Sequence, residues 1–394
     1  MGGVAVTGMG IISAIGRDLK ETHFSLKNEK DGTTFPEILP TNIEHLPVGE
    51  IKLSNSELSR ILDLPKNHSY TRAALLGVYA IKELLENTGY DQFPGDTGLI
   101  SGTSIGGIDM TETHFFDYKK NTENHKYIQA QHPGFTTEKI AEYFNLNKLV
   151  TTISTACSSS ANAIMMGAKM IESGKLKRVI VGGSDCLAKF TLNGFNSLKI
   201  LSEQKSRPFD NLRNGLNLGE AAGYLLLEAE EYIENNQILG WVSGYGNAND
   251  AYHQTASSEN GEGAYQAMTK ALKKAGLSSL EIDYINAHGT GTGNNDLSES
   301  VALKRVFGDS VPNFSSTKGF TGHTLGAAGA IEAIFSLLAI QNGEIYPNLN
   351  FENEMLETAL KPITNLQNKN VQTILSNSFG FGGNCTSLIF RRNG

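Results

Sequence analysis

The chain has 394 residues, enough for one large domain or two fused halves, and its 39% hydrophobic and 19% charged residues are ordinary for a globular protein. A net charge of −8 argues against nucleic-acid binding as the main role. Three cysteines without paired spacing exclude a disulfide framework and suit a reducing compartment.

The start MGGVAVTGMG lacks the basic region of a signal peptide, and Val6 stands where a myristoylation start needs Ser or Thr. The longest apolar segment, 331–340, is too short to span a bilayer and carries Glu332. A cytoplasmic protein without membrane segments is therefore expected. Val4–Thr7 reads as a first strand that ends in a turn at Gly8 and Gly10. Ser13 replaces the third glycine of a dinucleotide fingerprint, so no nucleotide cofactor is expected. Ala73, Leu76, Ala80 and Leu84 recur at helical spacing within 69–87, and 98–101 reads as a strand entering the turn SGTSIGG, 101–107.

Val150–Ile153 is a β-branched strand, and TACSSSANAIMMGAKM (155–170) follows with helical spacing. Cys157 thus sits where a buried strand turns into a helix. Unpaired N–H groups and the positive end of the helix dipole favour a thiolate there, and Ser158, Ser159 and Ser160 can cap that helix start. The alternative is a small buried thiol. Residues 178–185 and 223–231 read as strands, the second at a sheet edge if the acids that follow mark one. A second round then begins near 240: strand and turn 241–250, helix 262–275, strands 283–289 and 312–315, and the apolar helix 325–341. Strands 373–379 and 385–390 close the chain, joined by glycines. This alternation predicts a mostly parallel α/β fold in two similar halves, 1–240 and 241–394, with helices 158–173 and 325–341 between layers.

Two histidines repeat the layout of Cys157. His288 ends a strand and enters GTGTGNND (289–296), where Asp296 and Glu299 read as a capping pair for the next helix. His323 lies between a strand and the long apolar helix. Turns of this kind gather at one edge of an α/β sheet, where ligands bind. Glu332 is the one formal charge between Gly319 and Gly343, so burial requires a cation, and Lys318 is the nearest in sequence. The alternative is a helix wetted along Glu332 and Ser336.

TACSSS, NAHGTGTGNND and TKGFTGHTLGAAGAIEA, with VAVTGMG at the start and NSFGFGGNCTSLIF at the end, resemble the motifs of the elongating β-ketoacyl-acyl-carrier-protein synthases. The resemblance implies the thiolase fold, two similar α/β halves in a five-layered αβαβα sandwich, and a dimer, either with itself or with a related synthase-like subunit. It implies an acyltransferase that extends a Cys-bound acyl chain by two carbons from a malonyl unit, in fatty-acid, polyketide or polyene synthesis, with acyl carrier protein as partner. Cys157 becomes the acyl acceptor, His288 and His323 serve malonyl decarboxylation, and Lys318 and Glu332 support them. Backbone N–H groups of Cys157 and Phe381 form an oxyanion hole. Ile105, Phe381, Thr290 and Thr292 bind substrate, with Phe381 as a gate. No cofactor or metal is implied.

Departures from the family pattern are Gly293 in place of proline, which suggests a looser loop, Asn214 in place of aspartate, and Asn384–Cys385 in place of Thr–Asn. Cys186 and Cys385 read as packing residues. Three other readings stand beside this one. A non-catalytic partner subunit would lack Cys157; a degradative thiolase would need a second cysteine near 379–381; a metal site would have to gather Cys157, His288 and His323 from distant segments. For carrier-protein contacts, Lys66, Arg72, Lys205 and Arg207 lie in segments the family uses.

Overall fold

A computed structural model describes residues 3–234 and 236–392; the acylation-like Met1–Gly2 lies outside them. Ten strands form the central sheet. They are β1 (Val4–Ser13), β2 (Thr97–Gly102), β3 (Val150–Ile153), β4 (Arg178–Asp185), β5 (Ala221–Glu228), β6 (Gly240–Asn249), β7 (Tyr284–Asn286), β8 (Asn313–Ser315), β9 (Thr373–Phe379) and β10 (Asn384–Arg391). Their order is β8-β7-β9-β10-β6-β1-β5-β4-β2-β3. Read outward from the centre, β1-β5-β4-β2-β3 and β6-β10-β9-β7-β8 are the same arrangement twice. A three-residue antiparallel contact, Val4–Val6 with Gly240–Val242, joins them.

The sheet is mixed, which corrects the expectation of mostly parallel strands. Pairing is parallel only in β4-β2-β3 and β9-β7-β8; every pairing from β9 through β10, β6, β1 and β5 to β4 is antiparallel. Nor is β5 an edge: it lies between β1 and β4 with every residue buried. Its acid, Glu228, accepts from Thr7 Oγ1 (2.6 Å), Tyr90 OH (2.8 Å), Asn236 Nδ2 (2.7 Å) and Arg178 Nε (3.2 Å), which satisfies the buried charge. The first strand also runs straight through Gly8 and Gly10. A Cβ at Gly10 would stand 2.0 Å from the carbonyl oxygen of Ala80, so that glycine admits a helix against the strand and makes no turn.

That helix is α1 (Arg72–Glu86), packed outside β1, β5 and β4. The short α2 (Ile108–His114) follows β2. After β3 comes α3 (Ser159–Glu172), and after β4 comes α4 (Lys189–Ser197). The second half supplies α5 (Glu262–Ala275) on the outer face of β6 and β10, then α6 (Gly293–Phe307) against α5, and α7 (Ala328–Asn342). α3 and α7 pack on each other and on strands of both halves. Ser160 Oγ accepts the N–H of Ala330 (2.9 Å), and a Cβ on Gly329 would meet that of Ala161 at 2.7 Å. The layers are therefore helix, sheet, helix, sheet, helix.

The helical run Leu325–Asn342 is long and apolar enough to cross a membrane by length and composition, longer than the segment 331–340 suggests. It is 89% buried inside the protein, and its apolar faces are spent on the two sheets.

Candidate active site

β3 ends at Ile153, and the chain reaches α3 through a turn in which Ala156 adopts φ +52°, a left-handed conformation that non-glycine residues seldom hold. The turn is held by its serines, though not as caps of the helix. Ser158 Oγ lies 2.8 Å from both the carbonyl of Thr155 and Asn384 Oδ1, which share its one hydroxyl proton. Ser159 Oγ accepts Thr155 N–H (2.9 Å) and donates to the carbonyl of Ala156 (2.6 Å). Ser158 is the N-cap residue but makes no capping bond with its side chain. Asn384, one of the departures, is a hub that also accepts from Asn162 (2.8 Å) and Asn247 (2.9 Å).

The strained turn delivers Cys157, 7% exposed, to a cavity of about 170 Å³. The backbone N–H groups of Phe381 and of Cys157 itself favour the thiolate, as does the charge of Lys318. Burial nevertheless pushes the thiol up to about 11, outweighing those donors and the charge of Lys318. The thiolate expected from the helix start is thus not the resting form.

His288 and His323 line the same cavity, their rings 5.3 Å apart and nearly perpendicular. Burial pushes both well below the usual histidine range, and Lys318 pushes them further, so both are neutral. His323 Nδ1 accepts the N–H of Leu325 (3.3 Å), which leaves its ring proton on Nε2. Among the described residues His288 Nδ1 has no hydrogen-bond partner.

Asp296 and Glu299 do not cap a helix. α6 begins at Gly293 with Thr292 as N-cap, so both acids lie inside its first two turns and reach back to the loop. Glu299 accepts the N–H groups of His288 (2.9 Å) and Gly289 (2.8 Å), and Asp296 those of Thr290 (2.9 Å) and Gly291 (3.1 Å). Burial raises Glu299 to about 7. The same loop is clamped from outside, where Arg213 donates to the carbonyls of Thr292 (3.2 Å) and Gly293 (3.0 Å). Gly293, in place of proline, thus sits in a loop held by Arg213 on one side and by Asp296 and Glu299 on the other.

Lys318 and Glu332 form an ion pair whose side chains are 3% and 2% exposed, and Ser336 is buried too, so the helix has no wet side. Glu332 Oε2 has no partner among the described residues, and burial lifts this carboxyl to about 7 despite Lys318. Thr290 and Thr292 border the cavity and share a hydroxyl hydrogen bond (2.9 Å). Phe381 borders it too, stacked on Phe195 at 5.7 Å.

Ile105 does not border this cavity; it packs against the apolar cluster that includes Leu216, which does. Cys186 and Cys385 are buried with raised thiols, and Cys385 touches the cavity. Phe195 and the loop-holding roles of Asp296 and Glu299 escaped the sequence reading. So did Asp185, which is buried and accepts N–H groups of Ser104 (2.9 Å) and Gly326 (2.7 Å). The one available signal was an acid closing an otherwise apolar strand, RVIVGGSD. Arg72 is corrected: it is buried in a forked ion pair with Glu220 (2.6 and 2.8 Å) and presents nothing to a partner.

Five layers, a doubled five-strand pattern, and a cysteine facing two neutral histidines define a thiolase-fold condensing acyltransferase. Family models agree: residues 1–232 match the beta-ketoacyl synthase N-terminal domain and 239–352 its C-terminal domain. The chain belongs to the β-ketoacyl synthase family. It is 39% identical to the 3-oxoacyl-[acyl-carrier-protein] synthase 2 of Rhizobium meliloti over 75% of this chain and 74% of that protein. It is 34% identical to synthase 1 of Haemophilus influenzae over 98% of each. Among solved structures, the ishigamide ketosynthase/chain length factor matches with TM-score 0.93 at 29% identity over the whole of both chains. A Xenorhabdus doucetiae ketosynthase in complex with its chain length factor matches with TM-score 0.84 at 31% identity, over 99% of this chain and 98% of that one.

Proposed function

We propose that this chain joins an acyl group held on Cys157 to a malonyl unit delivered by acyl carrier protein, lengthening the chain by two carbons. The observation that carries the reading is the single cavity in which the Cys157 thiol, two backbone N–H groups and two neutral imidazoles converge. In the first half-reaction Sγ attacks the carrier thioester. The Cys157 S–C bond forms, the carrier S–C bond breaks, and the proton held on Cys157 at neutral pH leaves with the carrier thiol. In the second, malonyl loses carbon dioxide, and its bonding pair becomes an enolate whose oxygen accepts from His323 Nε2–H and His288. The enolate carbon attacks the acyl-cysteine. The N–H groups of Cys157 and Phe381 hold the tetrahedral oxyanion until the Cys157 thiolate leaves and regains a proton from solvent. Lys318 with Glu332, and Thr290 with Thr292, keep the histidines and the malonyl arm in place.

The test separates the two halves. In His288→Ala and His323→Ala, malonyl decarboxylation falls by roughly 10²–10⁴, while acylation of Cys157, followed by mass on its peptide, survives. Equal loss of both half-reactions in both variants would refute the division.

The chain is read as two halves, 1–240 and 241–394, a division supported by the repeated strand order. It pairs with itself or with a related synthase-like subunit in the cytoplasm. Because the chain is acidic overall, attraction for an acidic carrier must be local. Lys66, Lys205 and Arg207 remain candidates; Lys66 is exposed, and among the described residues Lys205 pairs with Asp31 (2.6 Å) and Arg207 with Glu352 (3.2 Å). Carrier affinity should fall as ionic strength rises and fall again in a Lys205→Glu, Arg207→Glu double variant. An affinity unmoved by salt would count against electrostatic docking.

A further inference from the structure

The two N–H groups assigned to the oxyanion come from different halves of the chain. That of Cys157 lies in the turn before α3, and that of Phe381 in the loop between β9 and β10. The two segments touch. A Cβ on Gly380 would stand 2.8 Å from the carbonyl oxygen of Thr155 and 3.1 Å from the nitrogen of Cys157, so a glycine is needed for the loop to lie against the turn. The turn is also strained at Ala156, and such a conformation persists only where surrounding contacts impose it.

Asn384, the first residue of β10, makes contacts to both segments. Its backbone carbonyl accepts the N–H of Gly380 (2.8 Å), which closes the loop around Phe381. Its side-chain Oδ1 shares the proton of Ser158 Oγ (2.8 Å), next to Cys157, and accepts from the amides of Asn162 on α3 (2.8 Å) and Asn247 on β6 (2.9 Å). Those amides are engaged in turn. Asn162 Nδ2 also donates to Thr155 Oγ1 (2.9 Å), and Asn162 Oδ1 accepts from Asn247 Nδ2 (3.0 Å) and Thr386 Oγ1 (2.8 Å). The network therefore joins the two halves around the nucleophile turn. None of these side chains borders the cavity of Cys157, so they act on the chemistry only through the backbone they hold.

We propose that Asn384 is a positioning residue for acyl transfer: it fixes the N–H of Phe381 relative to the N–H of Cys157, and so sets the span of the oxyanion hole. This rests on the reading of those two groups as the hole. The threonine that the family commonly has here offers one shorter hydroxyl, which would leave donors among Ser158, Asn162 and Asn247 unserved in this chain. Donors held in place before the charge develops need no reorganisation, and a misplacement of about 1 Å costs as much as 10²-fold. Both acyl-transfer steps pass through a tetrahedral oxyanion, whereas decarboxylation places its charge on an oxygen facing the histidines. The network should therefore matter to the first two steps and not to the third.

The test measures three rates in the full-length protein, together with a partner subunit if it requires one: acylation of Cys157 in a single turnover, condensation, and malonyl decarboxylation. The acyl donor is whichever of butanoyl-, octanoyl- and hexadecanoyl-carrier protein the wild type uses best. Asn384→Ala should lower the maximal rates of acylation and condensation by one common factor, between about 10 and 10². The KM for the acyl carrier should stay within about twofold, and decarboxylation should not move. Asn384→Asp keeps the accepting oxygen and should recover most of the loss. Asn384→Thr should fall between these two, and it carries the test if Asn384→Ala does not fold. Wild-type acylation rates in both Asn384→Ala and Asn384→Thr would overturn the inference alone. A loss shared by decarboxylation, or one that Asn384→Asp does not recover, would overturn it too, since Asn384 would then only hold the fold together. A wild type that places no acyl group on Cys157 would instead overturn the reading on which the inference rests, and the inference with it.

Discussion

Cys157→Ala should lower condensation by roughly 10⁶, the scale on which a missing nucleophile acts elsewhere, while malonyl decarboxylation continues because both imidazoles remain. Acylation of the wild-type protein should place its added mass on the peptide containing Cys157. Mass found on Cys186 or Cys385 instead would defeat the assignment. The same cysteine carries a pH signature. With the thiol pushed up to about 11, alkylation by iodoacetamide should climb about tenfold per pH unit between about pH 7 and 10. A rate that levels off below about pH 8 would mean that the helix start prevails over burial, as the sequence suggested.

That disagreement marks where sequence reading stops. Cys157, His288 and His323 were legible because each stands at a strand-to-helix turn, and such turns converge whatever the details of packing. The depth at which they lie was not legible. Helix position is local, whereas the burial of Cys157 depends on tertiary packing: Phe195, Phe379 and Phe381, from distant segments, border the same cavity. Asp296 and Glu299 misled for the opposite reason. Acids near a helix start read as caps, and only the folded loop shows that the N–H groups of 288–291 need them more. Arg72 carried a usable signal, a lone charge within TRAALLGVYA, and its burial against Glu220 follows from that context. Four of the five antiparallel pairings, β1-β5, β5-β4, β6-β10 and β9-β10, lie within a half; apart from the β9-β10 hairpin they join strands distant in sequence, which no local pattern encodes.

The Lys318–Glu332 pair should show strong non-additivity. Lys318→Met or Glu332→Gln alone should cost about 3–5 kcal/mol of stability, because each strands the other partner in the core. The double variant should cost less than either single change, and chemical unfolding of the four proteins closes the cycle. Strictly additive losses would show that the two do not interact. The two single variants should also differ with pH. Glu332 already lies at about 7, above its ordinary 4.5, with Lys318 holding it down. Without Lys318 it rises further, so the folded protein binds a proton that the unfolded chain releases. The stability of Lys318→Met is then least impaired below about pH 4.5 and falls as pH climbs through the raised value. Glu332→Gln has no such carboxyl and loses that part of the pH dependence. Function should report the same charge: Lys318 depresses both histidines, so its removal lets His288 and His323 rise toward the ordinary range. Decarboxylation by Lys318→Met should therefore fail at a higher pH on its acid side than the wild type does, as the imidazoles protonate, and an unchanged acid limb would show that Lys318 does not act on them.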